Sequence, residues 1–84
     1  MSYEVLILRR AQKELSGLSD DTYNSLKKAL QSLGDEPRPY GSRKLTGREG
    51  WRIRGGSYRI IYKIDDYKKV VTILNIGHRK DVYR

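Results

Sequence analysis

The chain has 84 residues, no cysteine and one histidine, an inventory that rules out disulfides and a thiolate site and argues against a protein-built zinc site. Its apolar runs are a few residues long, far short of the ~20 needed to span a bilayer. Met1 leads into a short strand-like stretch rather than a charged leader, so we expect one soluble cytoplasmic domain over residues 1–84, with no cofactor, metal or membrane partner. The net charge is +8, and it is unevenly placed. Residues 1–37 carry five basic against six acidic side chains, a net −1, whereas residues 38–84 carry thirteen against four, a net +9. Such asymmetry points to a polyanionic partner: nucleic acid, an acidic protein or a membrane surface.

Tyr3–Leu8 (YEVLIL) is short, apolar and rich in β-forming residues, and reads as a strand. Two helical patterns follow. The first runs from about Arg9 to Leu18, with Leu15, Leu18 and Ala11 as its apolar stripe. Ser19 or Asp20 can cap the second, and Asp20 and Asp21 suit the positive end of its dipole. Tyr23, Leu26, Leu30 and Leu33 recur at three and four residues along one face. Gly34 and Pro37 are expected to stop it. Residues 35–50 (DEPRPYGSRKLTGREG) hold both prolines and three glycines and read as a loop. At that length it is a candidate for function.

Three β segments complete the chain: WRIR (51–54), SYRIIYKID (57–65) and KKVVTILNI (68–76), with turns at 55–56 and 65–67. The order β-α-α-β-β-β defines a small α+β domain, with a C-terminal antiparallel meander sheet and both helices packed on one face. The first strand is expected to join the same sheet through the helical crossover.

Strand side chains alternate between faces. Trp51 and Ile53 therefore share a face with Tyr58, Ile60, Tyr62 and Ile64, and the helices need that face. Arg52, Arg54 and Arg59 fall together on the other, which is expected to be open, as do Ile61 and Lys63. Like charges on neighbouring strands repel, so these guanidinium groups are either solvated or held for an anion. The third strand is expected to end at Ile76, with Gly77 allowing a sharp turn that brings His78, Arg79 and Tyr83 to the sheet edge. Arginine forks grip phosphate oxygens, tyrosine stacks on a base, and histidine titrates near neutrality. That set suits phosphodiester chemistry, although for His78 alone a plain surface histidine is the more ordinary reading.

KLTGREGWRIRGGSYRIIYKID followed by VVTILNIGHRKDVYR resembles the RelE-type toxins of the RelE/ParE toxin–antitoxin superfamily, and the resemblance covers essentially the whole chain. It implies a ribosome-dependent, metal-independent endoribonuclease that cuts mRNA in the ribosomal A site. The 2′-OH would attack the adjacent phosphate, leaving a 2′,3′-cyclic phosphate and a 5′-OH. By the same resemblance Arg52 and Arg54 match the family's basic pair. Arg59 matches the arginine that stabilises the pentacoordinate phosphate, Arg79 the arginine near the leaving oxygen, and Tyr83 the tyrosine that stacks on the mRNA. The implied partners are a cognate antitoxin and the ribosome; Arg9, Arg10 and Lys13 are candidate rRNA contacts, or simply a solvated helix face.

A well-studied family member has lysines where this chain has Arg52 and Arg54, one of them its proposed general base. Arginine is a poor base. His78 could take that role, since some relatives use a histidine or a glutamate as the base, or catalysis could rest on positioning and electrostatics alone. Two rival readings share the fold: a ParE-like DNA gyrase poison, and a non-catalytic RNA- or protein-binding module.

Overall fold

The computed structural model describes residues 2–55 and 58–78, and of His78 the backbone alone. The elements follow the order β1 (Glu4–Ile7), α1 (Arg9–Ser16), α2 (Asp20–Asp35), β2 (Arg43–Lys44), β3 (Trp51–Gly55), β4 (Tyr58–Asp65) and β5 (Val70–His78). One mixed sheet holds all five strands in the order β1-β5-β4-β3-β2. β2 to β5 are antiparallel neighbours, and β1 joins parallel to β5, Glu4 beside Val70 and Ile7 beside Ile73. The two helices supply the crossover that a parallel pairing requires.

The helices start and stop for local reasons. The Ser19 hydroxyl accepts the backbone N–H of Thr22, so Ser19 is the N-cap of α2, and Asp20 and Asp21 occupy its first turn. Leu26, Leu30 and Leu33 are buried along the predicted stripe, but Tyr23 sits at its exposed margin. Gly34 does not stop α2, which runs one residue further, to Asp35. Its role is close approach. A Cβ there would lie 3.0 Å from the carbonyl oxygen of Tyr3 and 3.2 Å from Val5 Cγ2. The Gly34 carbonyl accepts the Tyr3 N–H at 2.6 Å. The last turn of the helix is thereby fastened to the start of β1.

The core lies between the sheet and the helices. Ala11, Leu15, Leu26, Leu30 and Leu33 meet Ile60, Tyr62, Val71, Ile73 and Ile76 there, with Trp51, Ile53, Tyr58 and Ile64 packed at the margin. Strict alternation along β5 would send Val71, Ile73 and Asn75 inward. Instead Ile61 pairs with Asn75 and Tyr62 with Ile73, so Leu74 is an extra residue and the register shifts. This β-bulge moves Asn75 to the far face and brings Ile76 into the core.

β5 is longer than β1 and would leave a bare edge beyond Ile73. α1 covers it: the Glu14 carboxylate accepts the Ile76 N–H at 2.8 Å, and the Ile73 carbonyl accepts from Leu8 N–H. Both meet the demand that backbone polar groups be paired.

Three expectations are corrected. The 35–50 loop contains a strand, β2, because Leu45 N–H reaches the Gly50 carbonyl and closes a hairpin over 45–50. β5 does not end at Ile76 but continues through Gly77 to His78, since both residues pair with β4. The face away from the helices is not open along β4: Arg59 is 5% exposed and Ile61 1%.

Alanine is the better helix former by up to ~1 kcal/mol, yet Gly34→Ala is expected to lower the unfolding temperature, because the new methyl group presses on the β1 backbone. A raised midpoint in a thermal melt would show that β1 yields and that the close approach is not needed.

Candidate functional site

The pairing register assembles the basic face. Arg43 stands directly opposite Arg52, and Arg54 directly opposite Arg59. Arg52 and Arg54 lie two residues apart on β3, so all four arginines share the face turned away from the helices. Two directly opposed arginine pairs on one sheet face carry an electrostatic cost. Arg59 is also the most deeply placed, flanked by Arg54 on one side and by Gly77, which has no side chain to compete for the space, on the other.

Tyr40, Gly41, Ser42, Arg43, Arg52, Ile53 and Arg54 line a groove of about 500 Å³ at the β2–β3 end of this face. Three of the seven bear guanidinium groups and none bears a carboxylate. Arg52 and Arg54 were legible from strand alternation; Arg43 and Tyr40 were not. A two-residue strand is too short to show a period, and only the hairpin register aligns Arg43 with Arg52.

The loop that carries Tyr40 is tied to the domain at several points. Buried Pro37 accepts a 2.8 Å hydrogen bond at its carbonyl from the Tyr62 hydroxyl; burial pushes that phenol up from its ordinary range, against a hydrogen bond with Ser42 and the field of Arg38. Arg38 grips Asp66 with both terminal nitrogens, at 3.1 and 2.7 Å, and its guanidinium lies 5.2 Å from the centre of the Trp51 ring. Tyr3 donates to the same carboxylate at 2.6 Å. Ser42 N–H closes a turn on the Pro39 carbonyl, and Gly41 takes the positive φ of +95° that the third position of a type II turn demands.

His78 ends β5 beside Tyr58 in the ladder, two residues along β5 from Ile76. Arg79 and Tyr83 lie outside the described residues, as does the predicted turn at Gly56. Lys63 is exposed near the opposite end of β4, where Asp65, Asp66 and Glu49 collect. Arg9, Arg10 and Lys13 are exposed on α1. Among the described residues no three His, Cys, Asp or Glu side chains are grouped to hold a metal, and no helix is long and apolar enough to cross a membrane.

These features define a small α+β domain with an arginine-lined groove on the face of a mixed sheet turned away from the helices. Comparison with known proteins narrows the class. The model of the ParE toxin family of type II toxin–antitoxin systems matches residues 5–83. Toxin RelG of Mycobacterium tuberculosis is 34% identical over 100% of this chain and 99% of its own length. The mRNA interferase toxin RelE of Escherichia coli is 31% identical over 95% and 86%. The archaeal RelE–RelB complex from Pyrococcus horikoshii contains a chain that superposes with a TM-score of 0.84 at 31% identity, covering 96% of this chain and 99% of that one. The chain belongs to the RelE/ParE superfamily, as a RelE-type toxin of a type II toxin–antitoxin system.

The clamp at Asp66 generates a pH prediction. Hydrogen bonds from Arg38, and then from Tyr3, hold this carboxyl at about 2, below its ordinary 3.8. A depressed carboxyl contributes stability that is present above its unfolded pKa and lost as pH falls through the folded one. Asp66→Asn is therefore expected to lower the melting temperature near neutral pH, with the gap from wild type closing as pH approaches 2. A gap independent of pH would assign the loss to something other than the ionised pair.

Proposed function

We propose that the chain is a ribosome-dependent mRNA endoribonuclease, with Arg52, Arg54, Arg59, His78, Arg79 and Tyr83 as its catalytic residues. The observation that carries this reading is the double opposition of Arg43 with Arg52 and Arg54 with Arg59 on one sheet face. The cost of such an arrangement is relieved when a polyphosphate chain runs across it. The naming of the E. coli relative as an mRNA interferase supports the same reaction.

In the proposed reaction the ribose 2′-oxygen attacks the neighbouring phosphorus, its proton leaves, and the bond from phosphorus to the 5′-oxygen breaks. The products are a 2′,3′-cyclic phosphate and a 5′-OH that has taken up a proton. Negative charge grows on the phosphorane oxygens, and Arg59 is placed to meet it, since a preorganised cation in a water-poor setting stabilises developing charge more than a solvated one does. Arg52 and Arg54 hold the flanking phosphates, Arg79 attends the leaving oxygen, and Tyr83 stacks on the message. Because arginine does not serve as a base, the 2′-OH proton passes to His78, or to solvent with the rate resting on positioning.

A cognate antitoxin is the second proposed partner. The P. horikoshii and M. tuberculosis structural neighbours were both solved as toxin–antitoxin complexes. An acidic or amphipathic antitoxin segment would be drawn to the +9 half of this chain. Action on ribosomes places the protein in the cytoplasm. The family description as ParE toxins favours one alternative, poisoning of DNA gyrase.

Primer extension on programmed ribosomes tests the assignment. Cuts confined to the A-site codon are expected for the wild type, with Arg59→Ala slowing them by ~10²–10³ and Lys63→Ala leaving them nearly unchanged. Equal losses from the two variants would contradict the placement of Arg59 at the phosphate. Absence of cuts by the wild type, together with inhibition of gyrase supercoiling, would transfer the protein to the alternative.

A further inference from the structure

Tyr40 is fully exposed (106%) on the wall of the arginine groove. A single exposed tyrosine is ordinary on a protein surface. Its support is not. The turn that presents it is closed by Ser42 N–H on the Pro39 carbonyl and shaped by Gly41. It is anchored two residues upstream by the Arg38–Asp66 fork and the Arg38–Trp51 contact, and again by the Tyr62 bond to Pro37. The ring is thus held out from a fixed base, beside Arg43, Arg52 and Arg54, with no carboxylate among the described residues of the groove lining. A basic track that follows a phosphate backbone, edged by an aromatic ring, is the construction of single-stranded nucleic-acid sites.

We infer that Tyr40 is a stacking platform for a base of single-stranded RNA, at a subsite displaced from the reacting phosphate toward the β2 edge of the sheet. The inference rests on the ribonuclease reading of the same groove. Arg59 sits on β4 and Arg43 on β2, two strand spacings across the sheet and two residues offset along it, about 12 Å apart, a span longer than the repeat of one nucleotide. The strand leaves the phosphate at Arg59, crosses Arg54 and Arg52, and reaches Arg43 with its base against Tyr40. Arg43 holds the local phosphate and Tyr40 selects for an unstacked base, so the pair acts in binding, not in the chemical step. An acidic peptide is the less suitable occupant, because the negative face of an aromatic ring repels a carboxylate.

The test uses the full chain and a short single-stranded RNA made uncleavable by 2′-O-methylation, with 2-aminopurine placed at successive positions. Wild type is expected to quench the fluorescence at one position strongly. Tyr40→Ala and Tyr40→Leu are expected to lose that quenching and bind ~10-fold more weakly, while Tyr40→Phe and Tyr40→Trp keep both. Unchanged thermal melts would confirm that the fold is intact in each. On programmed ribosomes Tyr40→Ala should raise KM and leave kcat near the wild-type value. If Tyr40→Ala quenches and binds like the wild type, or if it weakens binding of a glutamate oligopeptide but not of RNA, the stacking subsite is wrong. Wild-type cleavage in that event would leave the ribonuclease reading standing, whereas a wild type that neither binds nor cuts RNA would overturn both.

Discussion

Four consecutive residues of β4, Arg59 to Tyr62, are all buried, so this strand is covered on both faces although the helices lie on only one. Ile60 and Tyr62 face the helices, and the other two face the arginine side. The arrangement works because the neighbours differ on the two sides of the sheet. β5 presents Ile76 and Ile73 toward the core but Gly77 and Asn75 toward the basic face, and the bulge at Leu74 makes that division possible. Without the extra residue, Asn75 would point into an apolar core and Ile76 out of it. A single irregularity in β5 thus sets both the packing of the core and the space in which Arg59 lies.

Charge is segregated along the same strand. Arg59 and its neighbours stand near the start of β4, whereas Asp65 ends it and Asp66 follows, about 20 Å away at the usual strand rise. The acidic end is structural: Asp66 ties the N-terminal Tyr3, the β4–β5 turn and the loop at Arg38 into one cluster. Among the described residues, none that lines the groove at the basic end bears a carboxylate. The clamp at one end therefore holds the loop that forms a wall of the groove at the other.

Family membership and groove geometry bear on different questions. Identity of 31–34% over nearly the whole chain settles the superfamily and the fold. It does not test the basic pair that the resemblance implies, whose two positions are both arginine here. Replacing an ammonium by a guanidinium improves the grip on phosphate and removes a titratable amine. On the proposed ribonuclease reading, such a site is better suited to holding RNA backbone than to moving a proton through Arg52 or Arg54, and the weight of proton transfer shifts toward His78 or solvent.

Much of this was legible in the chain itself. Alternation in WRIR and YRIIYKID assigned Arg52, Arg54 and Arg59 to one face, and helical spacing found Leu26, Leu30 and Leu33, because pleat and helix periods are local properties of a backbone. Gly34 was misread as a stop because its helix-breaking tendency is visible in sequence, while the β1 carbonyl it must accommodate is not. Tyr40 and Arg43 gave no periodic signal, lying in a turn and a two-residue strand. The sequence by itself determined the order of the elements other than β2, and the half of the chain that carries the positive charge. Only the tertiary structure decided which arginines oppose one another, that Arg59 is buried, and that Tyr40 edges their groove. Those are consequences of register and of contacts between residues far apart in the chain, which no local pattern encodes.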